Sequence, residues 1–153
     1  MSGRSKGPTR KVVDGHRIIV DQETSARMGR VRQKGTKPEL IVRQLIYELG
    51  HRYRVENRDL PGSPDIANRS RGWVVFVHGC YWHRHRGCSK TTTPTRNRAF
   101  WEDKFRANVE RDKRALRALR QEGYRTLVVW ECQCEREAML RRRLERWFDK
   151  NAS

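Results

Sequence analysis

Apolar positions recur along this chain with two periods, and the alternation between them sets out the elements. Between Thr36 and Gly50, the residues Leu40, Ile41, Leu45, Ile46 and Leu49 repeat at helical spacing. Thr36 suits a cap, Pro38 a first turn and Gly50 a stop, so this stretch predicts a helix. The segment HRYRVE that follows predicts a strand. LPGSPDIAN reads as a turn entering a short strand. GWVVFVHG is a continuous apolar run between glycines, which predicts a buried strand. KTTTPTRNR is a loop. Residues 97–121 return to helical spacing through Phe100, Trp101, Phe105, Val109, Leu116 and Leu119, and Gly123 ends that helix. YRTLVVWEC predicts a second buried strand, and REAMLRRRLERWFDK a closing amphipathic helix. The order α, β, β, β, α, β, α predicts one mixed sheet flanked by helices. Residues 1–30 are basic and poorly patterned, with one apolar patch from Arg17 to Val20. They read either as an arm that orders on a partner or as a tail.

Length and charge narrow the class. The 153 residues suit one domain. Lys plus Arg number 35 against 18 Asp plus Glu, a net charge of +17. So large an excess points to a polyanionic partner, with nucleic acid ahead of an anionic membrane and a merely solvated surface as the bland alternative. No apolar run is long enough to span a bilayer. MSGRSKGPTRK lacks the apolar middle of a signal peptide. A cytoplasmic or nucleoid-associated protein is therefore expected.

The densest chemistry lies in VVFVHGCYWHRHRGC, where a strand runs into cysteines, histidines and aromatics. Cys80, His83, His85 and Cys88 fall within nine residues. Thiolate and imidazole are the ligands zinc prefers, and Cys80, His85 and Cys88 can wrap one tetrahedral ion. The fourth ligand must be remote: Cys132, which closes the other buried strand, or Cys134. His78 and His83 are then spare, each either a general base or an ordinary structural histidine. Asp65, at a turn entering a strand, can hold a hard cation or serve the turn alone. Glu39 fits a capping box with Thr36. Asp112 is a mid-helix acid with arginines nearby. Tyr81, Trp82 and Trp101 read either as a wedge that unstacks bases or as cover for the metal loop. Trp73, Trp130 and Trp147 read as core.

The segments RMGRVRQKGTKPEL, LPGSPD, VVFVHGCYWHRHRGC, TRNRAFWEDKFRANVERD and GYRTLVVWEC together resemble the very-short-patch-repair (Vsr) mismatch endonucleases. The resemblance runs from about residue 24 to 148 in matching order. It implies an α/β, restriction-endonuclease-like fold of the PD-(D/E)xK superfamily: a mixed central sheet flanked by helices, with a structural zinc site. Residues 24–150 would be the endonuclease domain, with a DNA-contacting arm at 24–35, and residues 1–23 a flexible basic extension. Such enzymes nick double-stranded DNA 5′ of the T in a T:G mismatch, the product of 5-methylcytosine deamination, and need Mg2+. The resemblance implies Asp65 as the Mg2+ ligand, His83 as base, Asp112 as its orienting carboxylate, His78 as a second active-site histidine and Glu39 in catalytic support. It implies Cys80, His85, Cys88 and Cys132 as zinc ligands. Tyr81, Trp82 and Trp101 match the intercalating wedge, Met28 a residue of the arm, and Asn108 a polar residue near the recognised pair. A monomer is expected, and other repair proteins are admitted as partners.

Three positions depart from the pattern. Tyr81 replaces the usual phenylalanine of the wedge. Val77 stands where the superfamily has a second acid, leaving only its backbone carbonyl for metal. Gly79 stands where a lysine is common, which makes a histidine base more necessary. Two rival readings remain: a restriction-like or structure-specific nuclease of the same superfamily, and a zinc-stabilised DNA-binding module without catalysis.

Overall fold

The continuous apolar run within WVVFVH builds the centre of the molecule. In a computed structural model that describes residues 9–13, 15–20 and 35–150, this segment is the middle strand of a three-stranded sheet. The elements are strands β1 (Thr9–Val13) and β2 (His16–Val20), helix α1 (Lys37–Glu48), strands β3 (Ile66–Asn68) and β4 (Trp73–His78), helix α2 (Arg98–Gln121), strand β5 (Arg125–Trp130), the single turn α3 (Glu131–Cys134) and helix α4 (Glu137–Asp149). β3 pairs antiparallel with β4, and β4 parallel with β5, so the sheet is mixed as expected. A parallel pair needs a crossover, and α2 supplies it.

Alternate residues of the sheet serve two cores. Trp73, Val75, Leu127 and Val129 pack with Val42, Leu45 and Ile46 of α1 and Leu140, Leu144 and Phe148 of α4. Val74 and Phe76 face the other way and pack with Leu60, Ala67 and Leu119 of α2. This two-sided burial explains why β4 is apolar throughout rather than alternating.

Four sequence expectations are refined. Val42, fully buried, replaces Leu40 in the α1 stripe; Leu40 is 51% exposed. HRYRVE forms only one bridge, Arg54 with Ala67. His51 stacks on Phe148 and Tyr53 packs on the core, so side chains rather than a ladder hold this edge. β5 stops at Trp130, and Cys132 lies in the helical turn beyond it. Thr9–Val13 and His16–Val20, of which only the patch at Arg17–Val20 read as patterned, pair as two antiparallel strands with Val13 opposite His16. Gly15 lies between them at φ 79°, and the Asp-Gly pair in the sequence is a known hairpin signal. His16 docks this strand pair on α2 through Asp103 and the edge of Phe100.

Candidate active site and metal centre

The parallel register of β4 and β5 decides what meets at the sheet's end. His78 pairs with Trp130, so the chain leaves both strands at the same level. Cys80 and Cys132 each follow two residues later, which brings two remote thiols together. β3 runs antiparallel to β4, so Asp65, just before it, lies at the same end. There its Oδ2 accepts the Val77 N–H at 2.7 Å. Helix α1 starts here too, tied down by the Cys134 thiol, which donates to the Pro38 carbonyl. Cys134 is buried in the α1–α4 core and its thiol is not among the clustered ligand atoms, whereas that of Cys132 is.

The thiols Cys80, Cys88 and Cys132 and the imidazole of His85 place their ligand atoms within 4.8 Å of one another. His85 Nδ1 lies 3.6 Å from Cys80 Sγ and 3.4 Å from Cys132 Sγ. In a tetrahedral Cys3His centre, metal–sulfur bonds of about 2.3 Å and metal–nitrogen bonds of about 2.0 Å put the S···N edge near 3.5 Å. The side chains are thus already spaced for one ion. Burial raises the Cys80 thiol pKa, with the neighbouring thiols adding to it, so a crowd of thiolates needs a cation among them. The Thr91 hydroxyl contacts the carbonyls of both Cys80 and His85, closing the loop.

Beside this centre a cleft of about 310 Å³ is lined by Glu39, Asp65, His78, His83, Asn108 and Asp112, together with Trp82 and Arg111. His83 Nδ1 is 2.7 Å from Asp112 Oδ2. The His78 and His83 rings lie parallel with centroids 3.9 Å apart and 7° between planes. His78, His83 and Asp112 each place a ligand atom within 4.8 Å of the others, a grouping that could hold a metal ion or handle a proton. Burial, followed by the charge of His83, pushes the His78 imidazole down to about 4, so His78 is neutral at pH 7. Burial pushes the Asp65 carboxyl up to about 6; the nearby Glu39 adds to this, while the Val77 N–H, His83 and Arg43 oppose it.

Glu39 is buried and its Oε2 accepts from the Gly35 N–H at 3.0 Å and from Arg43 at 3.2 Å. The capping box expected with Thr36 does not form, because Thr36 makes no side-chain cap bond. Glu39 holds a backbone N–H ahead of the helix, although that of Gly35 rather than of Thr36, and it borders the cleft. Arg43 escaped the sequence reading, yet its i,i+4 spacing from Glu39 is the mark of a helical ion pair.

Glycine is required at 62. Its φ is +71°, and an added Cβ would lie 2.6 Å from the Ala115 Cβ of α2. This close approach seats the loop carrying Asp65 against the helix carrying Asp112. On that helix, Trp101, Phe105, Asn108 and Asp112 follow one another at i+3 and i+4 spacing, so one face runs from the aromatics to the cleft.

The aromatics are neither free-standing nor core. Tyr81, Trp82 and Trp101 are all half-buried. Tyr81 meets Trp82 edge-on at 4.9 Å, Trp82 lies 6.1 Å from Trp101, and all three pack around the buried Phe105. Arg84 clamps the loop beneath them, with its guanidinium 4.0 Å from the Phe105 ring and a bond to the Thr92 carbonyl. Trp130 departs from the core role read for it, because it is half-buried and stacks on His85. Met28 and residues 24–34 lie outside the described residues. No described helix is long and apolar enough to cross a membrane.

A cleft lined by carboxylates and a histidine–aspartate pair, beside a Cys/His cluster that could hold a metal ion, in a strongly basic chain, points to one class: a nuclease. The profile of the family described as DNA mismatch endonuclease Vsr matches residues 17–90. The type II nicking enzyme V.XorIIP of Xanthomonas oryzae pv. oryzae is 44% identical over 122 residues, covering 80% of this chain and 89% of that one. V.NmeAIP of Neisseria meningitidis, another type II nicking enzyme, is 38% identical over 84% of this chain and 91% of its own length. DNA mismatch endonuclease Vsr of Escherichia coli is 37% identical over 129 residues, 81% of this chain and 82% of that one. The chain belongs to the Vsr DNA mismatch endonuclease family, and it is a DNA endonuclease.

Proposed function

We propose that this enzyme nicks duplex DNA 5′ of the T in a T:G mismatch and so initiates very short patch repair. The observation that carries the reading is the cleft itself, where Glu39, Asp65 and the His83–Asp112 pair meet directly beside Trp82. Chemistry and duplex distortion would then occur at neighbouring points of one surface. The relatives named nicking enzymes support cleavage of a single strand. The mixed sheet with its helices fits a restriction-endonuclease-like PD-(D/E)xK core, with residues 24–150 as the endonuclease unit and residues 1–23 as an extension.

Each residue has a physical task in this scheme. Basic side chains neutralise phosphates, which makes binding weaken with salt. A mismatch opens more cheaply than a matched pair, and Tyr81, Trp82 and Trp101 occupy the opened stack. Asn108 contacts the mismatched pair, and Met28 approaches from the arm. Asp65, with one carboxylate oxygen held by Val77 and a second carboxylate at Glu39, suits Mg2+, with the Val77 carbonyl as a further ligand. Bound there, Mg2+ supplies Lewis-acid stabilisation of the developing phosphate charge. Asp112 accepts from His83 Nδ1, leaving Nε2 to take a proton from the attacking water. Neutral His78 supports His83 and stands near the scissile phosphate. Cys80, His85, Cys88 and Cys132 hold structural Zn2+, the ion their soft donor set suits.

The test is nicking of a labelled duplex with one T:G mismatch, beside matched T:A and branched DNA, each with Mg2+ or chelator. The expected result is one Mg2+-dependent nick 5′ of the T, absent from T:A and lost in Asp65→Ala. Cutting of matched or branched DNA instead would favour the restriction-like reading. Binding without any cut would leave a DNA-binding module.

A further inference from the structure

Trp130 sits between the two functional centres. Its ring stacks on His85 at 4.3 Å with 10° between planes. Its edge meets His78 at 5.4 Å and 72°. His78 lies flat against His83, and His83 bonds Asp112. His85, Trp130, His78, His83 and Asp112 therefore form one unbroken series of contacts, from the thiol cluster to the cleft. Trp130 is itself fixed: it is the last residue of β5, paired with His78, and its backbone N–H donates to Gln133 Oε1 at 3.1 Å.

We propose that Trp130 is a positioning residue for strand cleavage, one that carries the geometry of the Cys/His centre to the His78–His83 pair. The inference rests on the reading of His83 as the base. The imidazole of His78 is buried, and ring contacts with Phe76, His83 and Trp130 surround it. A stack resists sliding far less than a hydrogen bond does, so the rigid indole, near-perpendicular to His78, is what keeps both imidazoles in register. Removing it lets His78 and then His83 tilt while Asp112 still holds one end. Misplacement by about 1 Å can cost on the order of 10²-fold in rate. A packing residue without this role would alter stability and metal retention alone.

The test uses the full-length, zinc-loaded protein and the variants Trp130→Phe, Trp130→Met and His83→Ala. Three quantities are read: zinc content, affinity for the T:G duplex, and the single-turnover nicking rate at saturating duplex. The expected result is a graded loss of rate, about 3- to 10-fold for Phe and about 10- to 100-fold for Met, at unchanged zinc and affinity. If the Met variant sheds zinc, the Phe variant decides by the same criterion. A wild-type rate in zinc-loaded Trp130→Phe and Trp130→Met, or a loss confined to affinity, overturns the inference. His83→Ala separates the two levels. If it still nicks, the reading of the base fails; if it is dead while the Trp130 variants run at the wild-type rate, only the role of Trp130 fails.

Discussion

His83 Nδ1 lies 2.7 Å from Asp112 Oδ2, joining a loop beyond β4 to the middle of α2. An ionised carboxylate only accepts, so it selects the tautomer with the proton on Nδ1 and leaves Nε2 basic. Asp112→Asn can present its N–H2 to the ring and reverse that choice. The nicking rate on a T:G duplex should then fall by about 10²-fold or more, with duplex affinity retained. A single-turnover assay beside a binding titration checks both.

Asp65 carries a conflict between stability and activity. Burial raises its pKa to about 6, so the folded, metal-free protein holds that proton more tightly than the unfolded chain does. The sign follows: its carboxyl is harmless near pH 4, and stability is lost as pH rises through about 6. The penalty is about 3 kcal/mol above that pH. Asp65→Asn should therefore raise the melting temperature in chelator at pH 7.5, have little effect near pH 4, and abolish nicking. The rate measured in Mg2+ should fall only at a pH below about 6, because a cation bound at Asp65 would favour the ionised carboxylate. Thermal melts across pH, beside the rate profile, test the pairing.

The two C-terminal cysteines should behave differently. If the cluster holds a metal as proposed, Cys132→Ser should lose it and lower the melting temperature sharply, because a metal held only by the folded chain adds to folding free energy. Cys134→Ser should keep the metal and cost about 1–3 kcal/mol by burying a hydroxyl among core side chains. Metal analysis of both purified variants decides the assignment.

In α1, Val42→Ala should destabilise the protein by about 1–2 kcal/mol, while Leu40→Ala should stay within about 0.5 kcal/mol. Chemical denaturation of the two variants tests which residues form the stripe.

The parts of this molecule that read directly from sequence are those where one strong pattern acts locally. β4, β5, α2 and α4 follow from apolar spacing and bounding glycines, and Cys80, His85 and Cys88 follow from ligand spacing. The rest needs relationships between segments. Cys132 and Cys134 are equivalent in sequence, and only the parallel register of β4 with β5 separates them. Leu40 and Val42 both belong to an apolar run, and only the position of α4 and the sheet decides which is covered. Trp130 reads as core because it ends a buried strand, yet that same place sets it against His85 and His78. The pairing of Thr9–Val13 with His16–Val20 had a signal in the Asp-Gly dipeptide of the sequence, but the charged residues obscure the alternation.

In the proposed reading, one loop carries His83 as the base together with Tyr81 and Trp82 of the wedge, and a metal at the Cys/His cluster would hold that loop rigid. The most direct test of this reading is the single-turnover nicking rate of zinc-loaded His83→Ala on a T:G duplex. The account predicts a loss of about 10²- to 10⁴-fold, with zinc content and duplex affinity at wild-type levels. Nicking at the wild-type rate with zinc retained would contradict it, and the base would have to be sought elsewhere in the cleft.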